Sequence, residues 1–370
     1  MKIVHTLSDS ASEFNSSRWR SLVPCRALLK AGYDVSIVSI VQWMKHSDEI
    51  KRIVADADLI VIQRVMIEES LERAKFWRER GKAIVTDFDD AYQMIDSSNL
   101  AHKFWAKGEV EINAPYGVSY TSKLEKHPID QFITGVKAYC VGGSMPGKVL
   151  AEDWRRHFPC WYVPNYINFD EYLPYRKPKR LGKTITIGYG GSLSHVPSFK
   201  LSGVEQALAK VLRKRPQVKL LLCGDKRLYD RMPVPSDRKE YLPYVFWREW
   251  AKILNRFDIG IAPMALRYDA SRSHIKPIEY VTMGIPFVAT KSLAYTDWYE
   301  AGLFVPDDVE IESIEERAVL WENMLLDMID NLSDHTARVE SRFSMAEQWE
   351  VNRNVPNLIS TYEDMISHVN

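Results

Sequence analysis

The sequence predicts an α/β protein built from two doubly wound, largely parallel sheets, and two observations carry that prediction. Short apolar runs alternate with amphipathic helical patterns along nearly the whole chain, and the alternation restarts after a stretch rich in charge, Tyr and Pro between 168 and 183. Repeats of strand, helix and strand build parallel sheets with helices on both faces. With 370 residues the chain is long enough for two domains with full cores. The expected boundaries are 1–166 and 184–345, joined by a linker at 167–183. A C-terminal helix at 346–370 is expected to pack back on the first domain.

In the first half, Lys2 to His5, Asp34 to Val41, Asp58 to Ile62, Ala83 to Thr86, Ala138 to Val141 and Cys160 to Val163 read as buried strands, because their apolar residues run on without alternation. Helical patterns lie between them at Trp19 to Ala31, ended by Gly32, at Ser47 to Ala55, at Glu68 to Glu79, ended near Gly81, and at Met145 to Trp154. Leu100 to His127, with Ala114-Pro115-Tyr116-Gly117 inside it, shows no clean period and reads as a long functional or mobile loop. Gly142-Gly143-Ser144-Met145-Pro146 is expected to open a helix. Its likeness to a phosphate loop is superficial, since no cation follows the glycines before Lys148.

Ligands of such sheets gather at the carboxyl ends of the strands. After the first strand comes a polar loop from Ser8 to Arg20, holding Ser17, Arg18 and Arg20; it reads as an acceptor-facing lid or as a plain Ser-rich connection. Arg64 follows the third strand. Asp87-Phe88-Asp89-Asp90 follows the fourth and has three readings. The carboxylates hold a divalent metal, or Asp89 and Asp90 orient an acceptor hydroxyl as base or hydrogen-bond acceptor, or the two cap the next helix. The metal reading ranks last, and no metal ligand is assigned.

Strands in the second half are expected at Thr184 to Tyr189, Val218 to Cys223, Tyr244 to Phe246, Asp258 to Ala262, Pro286 to Ala289 and Leu303 to Val305. The first runs into Gly190-Gly191-Ser192-Leu193-Ser194-His195 and a helical pattern, a strand, glycine turn and helix that would point backbone N–H groups at a phosphate. Gly224-Asp225 follows the second, and Tyr244-Val245-Phe246 lies where a base could stack. Arg267 to Ala289 reads as a basic loop, a helix opened by Pro277 and a Gly284-Ile285-Pro286 turn into a strand. Arg272, His274 and Lys276 therefore crowd the positive end of a helix dipole, a conflict that a bound anion would remove. Glu279, one turn in, is placed to accept from a hydroxyl-bearing ligand, or simply to complement the dipole. From Ile311 to Val369 the chain reads as almost all helix, its apolar stripes serving packing.

Composition narrows the function classes. Lys+Arg and Asp+Glu both total 49, so no whole-molecule field recruits nucleic acid or an anionic membrane. Cys25, Cys140, Cys160 and Cys223 lack any C-x-x-C spacing and read as reduced core residues, not as a disulfide frame or a zinc site. The chain opens on a strand, MKIVHTLSDS, and no apolar run approaches the roughly 20 residues that span a bilayer. The expected location is cytoplasmic.

Several blocks resemble GT-B glycosyltransferases, in particular the family 4 (group 1) type that uses nucleotide-activated sugars. They are Asp58 to Arg64, Gly81-Lys82 through Asp87-Phe88-Asp89-Asp90, Val163-Pro164-Asn165, Ile187 to Ser192 with His195, Phe257 to Pro263, and Ile275-Lys276-Pro277-Ile278-Glu279-Tyr280 through Gly284-Ile285-Pro286. The resemblance implies two Rossmann-like domains facing across a cleft, with C-terminal helices crossing back. It implies that Glu279 binds the donor ribose, while Arg272, His274 and Lys276 hold the diphosphate beside Gly190, Gly191, Ser192, Gly224, Asp225, Val245 and Phe246. Asp89, Asp90, His195 and Lys276 are the expected catalytic residues, and Ser17, Arg18, Arg20 and Arg64 the acceptor side. The implied reaction needs no prosthetic group: a nucleotide-diphosphate sugar is the co-substrate, and transfer proceeds without metal and with retention. A glycan, a lipid-linked sugar or a protein is the acceptor, with a DNA base last. The alternatives are a sugar-nucleotide epimerase of the same fold and a non-catalytic nucleotide-sugar-binding protein. Two departures stand out: Ser271 occupies a position where many relatives carry Glu, and a serine-rich stretch after Leu7 replaces a glycine-rich loop.

Overall fold

In the computed structural model, which describes residues 1–9, 15–64, 68–97, 99, 101–113, 119–176, 182–265, 267–306 and 313–369, the chain forms two units. The first contains β1 (Lys2–Leu7), α1 (Val23–Lys30), β2 (Asp34–Ser39), α2 (Ile40–Lys45), α3 (Asp48–Ala55), β3 (Leu59–Gln63), α4 (Glu68–Arg78), β4 (Ala83–Asp87) and α5 (Ala101–Lys107). There follow a hairpin of β5 (Glu109–Asn113) and β6 (Ser119–Lys123), then α6 (Pro128–Tyr139), β7 (Gly142–Met145), α7 (Lys148–Arg155) and β8 (Cys160–Tyr162). Six strands run parallel in the order β2-β1-β3-β4-β7-β8. β3 and β4 pair from Leu59↔Ala83 to Gln63↔Asp87 and are buried along their whole length, which is why their sequences show no polar alternation.

The second unit begins at Ile167 and contains α8 (Phe169–Tyr172), β9 (Ile185–Gly191), α9 (Val196–Leu201), α10 (Val204–Lys214), β10 (Val218–Gly224), α11 (Lys226–Arg231), β11 (Lys239–Leu242), α12 (Trp247–Leu254) and β12 (Ile259–Ala262). It continues through α13 (Ile275–Thr282), β13 (Phe287–Thr290), β14 (Leu303–Val305), α14 (Ile314–Asp330), α15 (Leu332–Ser341) and α16 (Phe343–Glu347). Its sheet is also parallel, in the order β11-β10-β9-β12-β13-β14. Ile187, Leu208, Leu220, Ile259, Val288 and Trp321 meet in its core. The chain then returns: α17 (Val355–Ser367) belongs to the first unit.

Several elements differ from the sequence reading. α6 runs through Ala138 to Tyr139, and the glycines expected to open a helix form β7 themselves. A Cβ at Gly142 would lie 2.3 Å from the Pro159 carbonyl oxygen, so glycine is what lets this strand approach its neighbour. Ile40 and Val41 start α2 instead of extending β2, because Ser39 and Gln42 form a capping box. Leu100 to His127 contains α5 and the β5–β6 hairpin. The strand expected at Tyr244 to Phe246 lies earlier, in Lys239–Leu242, an edge strand whose charged residues hid it from an apolar pattern. Gly190 and Gly191 continue β9, and the turn comes after them. α13 starts at Ile275, so Pro277 sits inside the first turn. Ser10 to Phe14 and Ala114 to Gly117 lie outside the described residues.

Candidate functional site

Strand order marks one place in each sheet. In the second, β9 is flanked by β10 on one side and β12 on the other, so the connections leave in opposite directions and open a crevice at the carboxyl ends of β9 and β12. Glycine narrows the backbone there. A Cβ on Gly190 would lie 2.2 Å from the Trp250 ring, and Gly224, at φ +102°, brings its turn against Gly191, whose carbonyl accepts from the Asp225 N–H at 2.9 Å.

Two cations reach this crevice from around the start of α13. The Lys276 ammonium donates to the Gly190 carbonyl and lies 4.6 Å from the centre of the Tyr189 ring. Burial pushes its pKa down to about 8; the Glu279 carboxylate works against that shift and Arg272 adds to it. Arg272 donates to His195 Nδ1 at 2.7 Å and to the Ser194 carbonyl at 2.9 Å, and pairs with Asp269 at 3.4 Å. Asp269 is itself held by the Ser198 hydroxyl and the Ala265 N–H, each at 2.9 Å. A guanidinium only donates, so the ring nitrogen facing it carries no proton. Burial, then Arg272 and Lys276, hold the His195 pKa well below its ordinary value. His195 is therefore neutral, and the positive charge of the group comes from Arg272 and Lys276. His274 is turned elsewhere: its ring packs edge-on against Trp349 at 4.4 Å and Trp298 at 5.6 Å.

Glu279 is buried one turn into α13, and its Oε1 accepts from the Tyr172 hydroxyl at 2.7 Å and the Trp250 indole at 2.8 Å. Ser192 and Ser194 pair through their hydroxyls at 3.1 Å. Asp225 caps α11 and pairs with Arg227 at 2.6 Å. Val245 is half-buried and Phe246 is exposed, both in the loop that leads into α12.

In the first sheet, β1 is flanked by β2 and β3, so its crevice opens between β1 and β3. Arg64, directly after β3, has a left-handed φ of +64° and donates to both Asp89 oxygens, at 3.1 and 3.0 Å, and to Asp9 at 3.1 Å. Burial alone would raise the Asp89 carboxyl; Arg64, with hydrogen bonds from Arg64, Ser16 and Tyr92, outweighs it and holds the carboxyl low. The Ser17 hydroxyl donates to Gln63 at 2.6 Å and accepts from the Asp9 N–H at 2.9 Å. Arg18 and Arg20 lie in a π-helical turn, Arg18–Leu22, and are buried. Arg20 is bound up within the unit: it grips Asp87 at 2.9 and 2.7 Å and donates to the Val163 carbonyl at 2.6 Å and Asn165 at 2.9 Å. Asp90 accepts from the neighbouring Ala91 N–H at 3.0 Å. Asp87 and Asp89 thus each face a guanidinium, a donor set poorly suited to a cation between them.

The family model for Glycosyl transferases group 1 matches residues 184–320, the span from β9 into α14 that carries the crevice of the second sheet. That span is a group 1 glycosyl transferase domain. The whole chain has the GT-B fold. Sucrose-phosphate synthase from Thermosynechococcus elongatus is similar with a TM-score of 0.65 and 12% identity, over 99% of this chain and 99% of that one. Anabaena HepE, in complex with UDP and glucose, gives 0.62 and 11% over 98% and 99%. AviGT4, a glycosyltransferase involved in avilamycin A biosynthesis, gives 0.54 and 12% over 99% and 98%. No curated protein is significantly similar in sequence.

Within the group 1 domain the fold brings together Gly190, Gly191, His195, Arg272, Lys276 and Glu279 from the sequence-based list, and leaves His274 and Phe246 outside that group. Sequence reasoning missed Tyr189, Asp269, Trp250 and Tyr172. Asp269 was readable, as a carboxylate three residues before Arg272. Trp250 and Tyr172 were masked, one by an amphipathic helix and the other by a linker.

Proposed function

We propose that the protein moves a sugar from a nucleoside diphosphate sugar to an acceptor, with the donor bound by the group 1 domain. The observation that supports this most is the pair of cations, Arg272 and Lys276, set at the carboxyl ends of β9 and β12 beside glycine-narrowed backbone. Both charges are partly desolvated, so each interacts with a diphosphate more strongly than it would in open water. As the bond to the anomeric carbon breaks, charge grows on the leaving diphosphate, and cations already in place stabilise it without reorganisation. The two cations are enough in number to supply this without a metal, and retention of configuration follows the group 1 resemblance. Glu279 takes the ribose hydroxyls. Arg64 and Asp89 orient the acceptor at the crevice of the first sheet, where the left-handed Arg64 backbone is the sort of strain that functional sites hold. HepE, a protein of the same fold, is bound to UDP and glucose, which makes a uridine donor the first to test.

A thermal-shift screen of nucleotide sugars identifies the donor, since a ligand at 100 times its Kd adds about 2.7 kcal/mol to stability. The hit is then incubated with radiolabelled sugar and with glycan, lipid-linked and protein acceptors. Transfer predicts free nucleoside diphosphate only when acceptor is present, and a product anomer, read by NMR, that matches the donor. An epimerised nucleotide sugar, or tight binding with no turnover, would reject the reading. So would undiminished binding in both Lys276→Ala and Glu279→Ala.

A further inference from the structure

We propose that Tyr172 and Trp250 are positioning residues: they fix the direction in which Glu279 offers its carboxylate, and through it the preference for ribose over 2′-deoxyribose in the bound nucleotide. This rests on the donor-site reading above. A carboxylate oxygen has two lone-pair sites, and both donors fall on the same one, Oε1, at 2.7 Å from Tyr172 and 2.8 Å from Trp250. With Oε1 saturated in this way, the plane of the carboxylate is set before any ligand arrives. A long side chain held in one rotamer spends less conformational entropy when it binds.

The two donors come from separate elements, which makes the arrangement rigid. Tyr172 closes α8 near the start of the unit and is buried. Trp250 lies on α12, also buried, and its six-membered ring covers Gly190, whose carbonyl receives Lys276. Thus one indole touches the backbone that holds the phosphate-side cation and donates to the carboxylate assigned to the sugar side. A purely apolar packing role would not require an indole N–H and a phenol to converge on one buried oxygen. Removing either leaves Oε1 short of a donor in a desolvated place, where the carboxylate turns to recover one.

The test measures Kd by calorimetry for UDP, GDP and ADP, for the 2′-deoxy counterpart of the tightest binder, and for inorganic pyrophosphate. Wild type is compared with Tyr172→Phe, Trp250→Phe and Glu279→Gln, with melting temperature as the folding control. One lost hydrogen bond predicts that Tyr172→Phe and Trp250→Phe each lower the ribose to deoxyribose preference by about threefold or more. Pyrophosphate affinity stays near the wild-type value. If Glu279→Gln abolishes the preference while both aromatic variants keep it, the positioning role is overturned and the donor site stands. If wild type binds none of the nucleotides, or Glu279→Gln keeps the preference, the donor-site reading falls and takes this inference with it. Tyr172→Phe removes one buried oxygen and little volume, so its ratio decides the matter should Trp250→Phe fail to fold.

Discussion

Lys276 is the residue at which pH acts on both stability and binding. Its folded pKa is lowered from the ordinary 10.5 to about 8, burial being the main cause. Below about 8 both folded and unfolded chains carry the proton, and the cost of burying the charge is full. Between about 8 and 10.5 the folded chain has released a proton that the unfolded chain keeps, so this group's contribution to stability rises with pH. A bound diphosphate shifts the ammonium the other way, because an opposite charge favours the protonated form. Binding near pH 8 should therefore take up a fraction of a proton, and affinity should weaken as pH rises beyond it. Calorimetry in buffers of different ionisation enthalpy reads that uptake, which Lys276→Met should lack; equal uptake in the variant would assign the proton elsewhere. Arg64 offers a second test at this scale. Its φ of +64° costs a residue with a Cβ roughly 1–2 kcal/mol, a cost that glycine avoids. Arg64→Gly and Arg64→Ala lose the same ion pairs, so the glycine variant should be the more stable by about 1 kcal/mol in urea unfolding. Equal midpoints would mean that the loop relaxes once the guanidinium is gone.

Among the elements, β9 shows how far a sequence can be read. Its apolar start and its glycines were visible, and so was the helix beyond them. What the glycines were for was not. Gly188 lies under the Phe257 ring, where a Cβ would come within 2.0 Å of it, and Gly190 under Trp250. Their partners sit about seventy and sixty residues on, by the numbering, and long-range contacts of that kind leave no local period. The same limit explains β7, where Gly142 answers to Pro159 and Trp161 and Gly143 to Phe158, and β11, whose charged residues suit an edge. By contrast β3, β4, β10, β12 and β13 could be bounded to within one residue, because buried parallel strands carry their burial in composition; the edge strand β14 was bounded to the residue from its short apolar run alone. Gly188→Ala should overpack the strand against Phe257 and destabilise the second unit by about 1–3 kcal/mol. Adding Phe257→Leu should return part of that loss. A double variant no more stable than Gly188→Ala alone would show that the clash is relieved by backbone movement instead.

At the scale of the whole chain, the first unit is not finished until the last element has been made. α17 lies about two hundred residues beyond β8, yet Val355, Leu358, Ile359, Tyr362 and Met365 are buried on it. The Tyr362 hydroxyl meets His5 Nε2 at 3.3 Å, the Trp161 indole donates to Asp364 at 2.6 Å, and Arg78 donates to the Val369 carbonyl at 2.9 Å. Each fully buried apolar side chain is worth about 1.5–3 kcal/mol, an upper estimate because the unfolded chain already buries part of that surface. Five of them approach the roughly 5–15 kcal/mol that holds a whole domain together. A chain ended at Glu350 should therefore lose the first unit while the second, whose sheet and core are complete by then, still folds. Hydrogen exchange separates the two: amides of β1, β3 and β4 should exchange as in an unfolded chain, and those of β9, β10 and β12 should stay protected. Protection of β1 and β3 in the shortened chain would show that the α/β core of the first unit closes without its final helix.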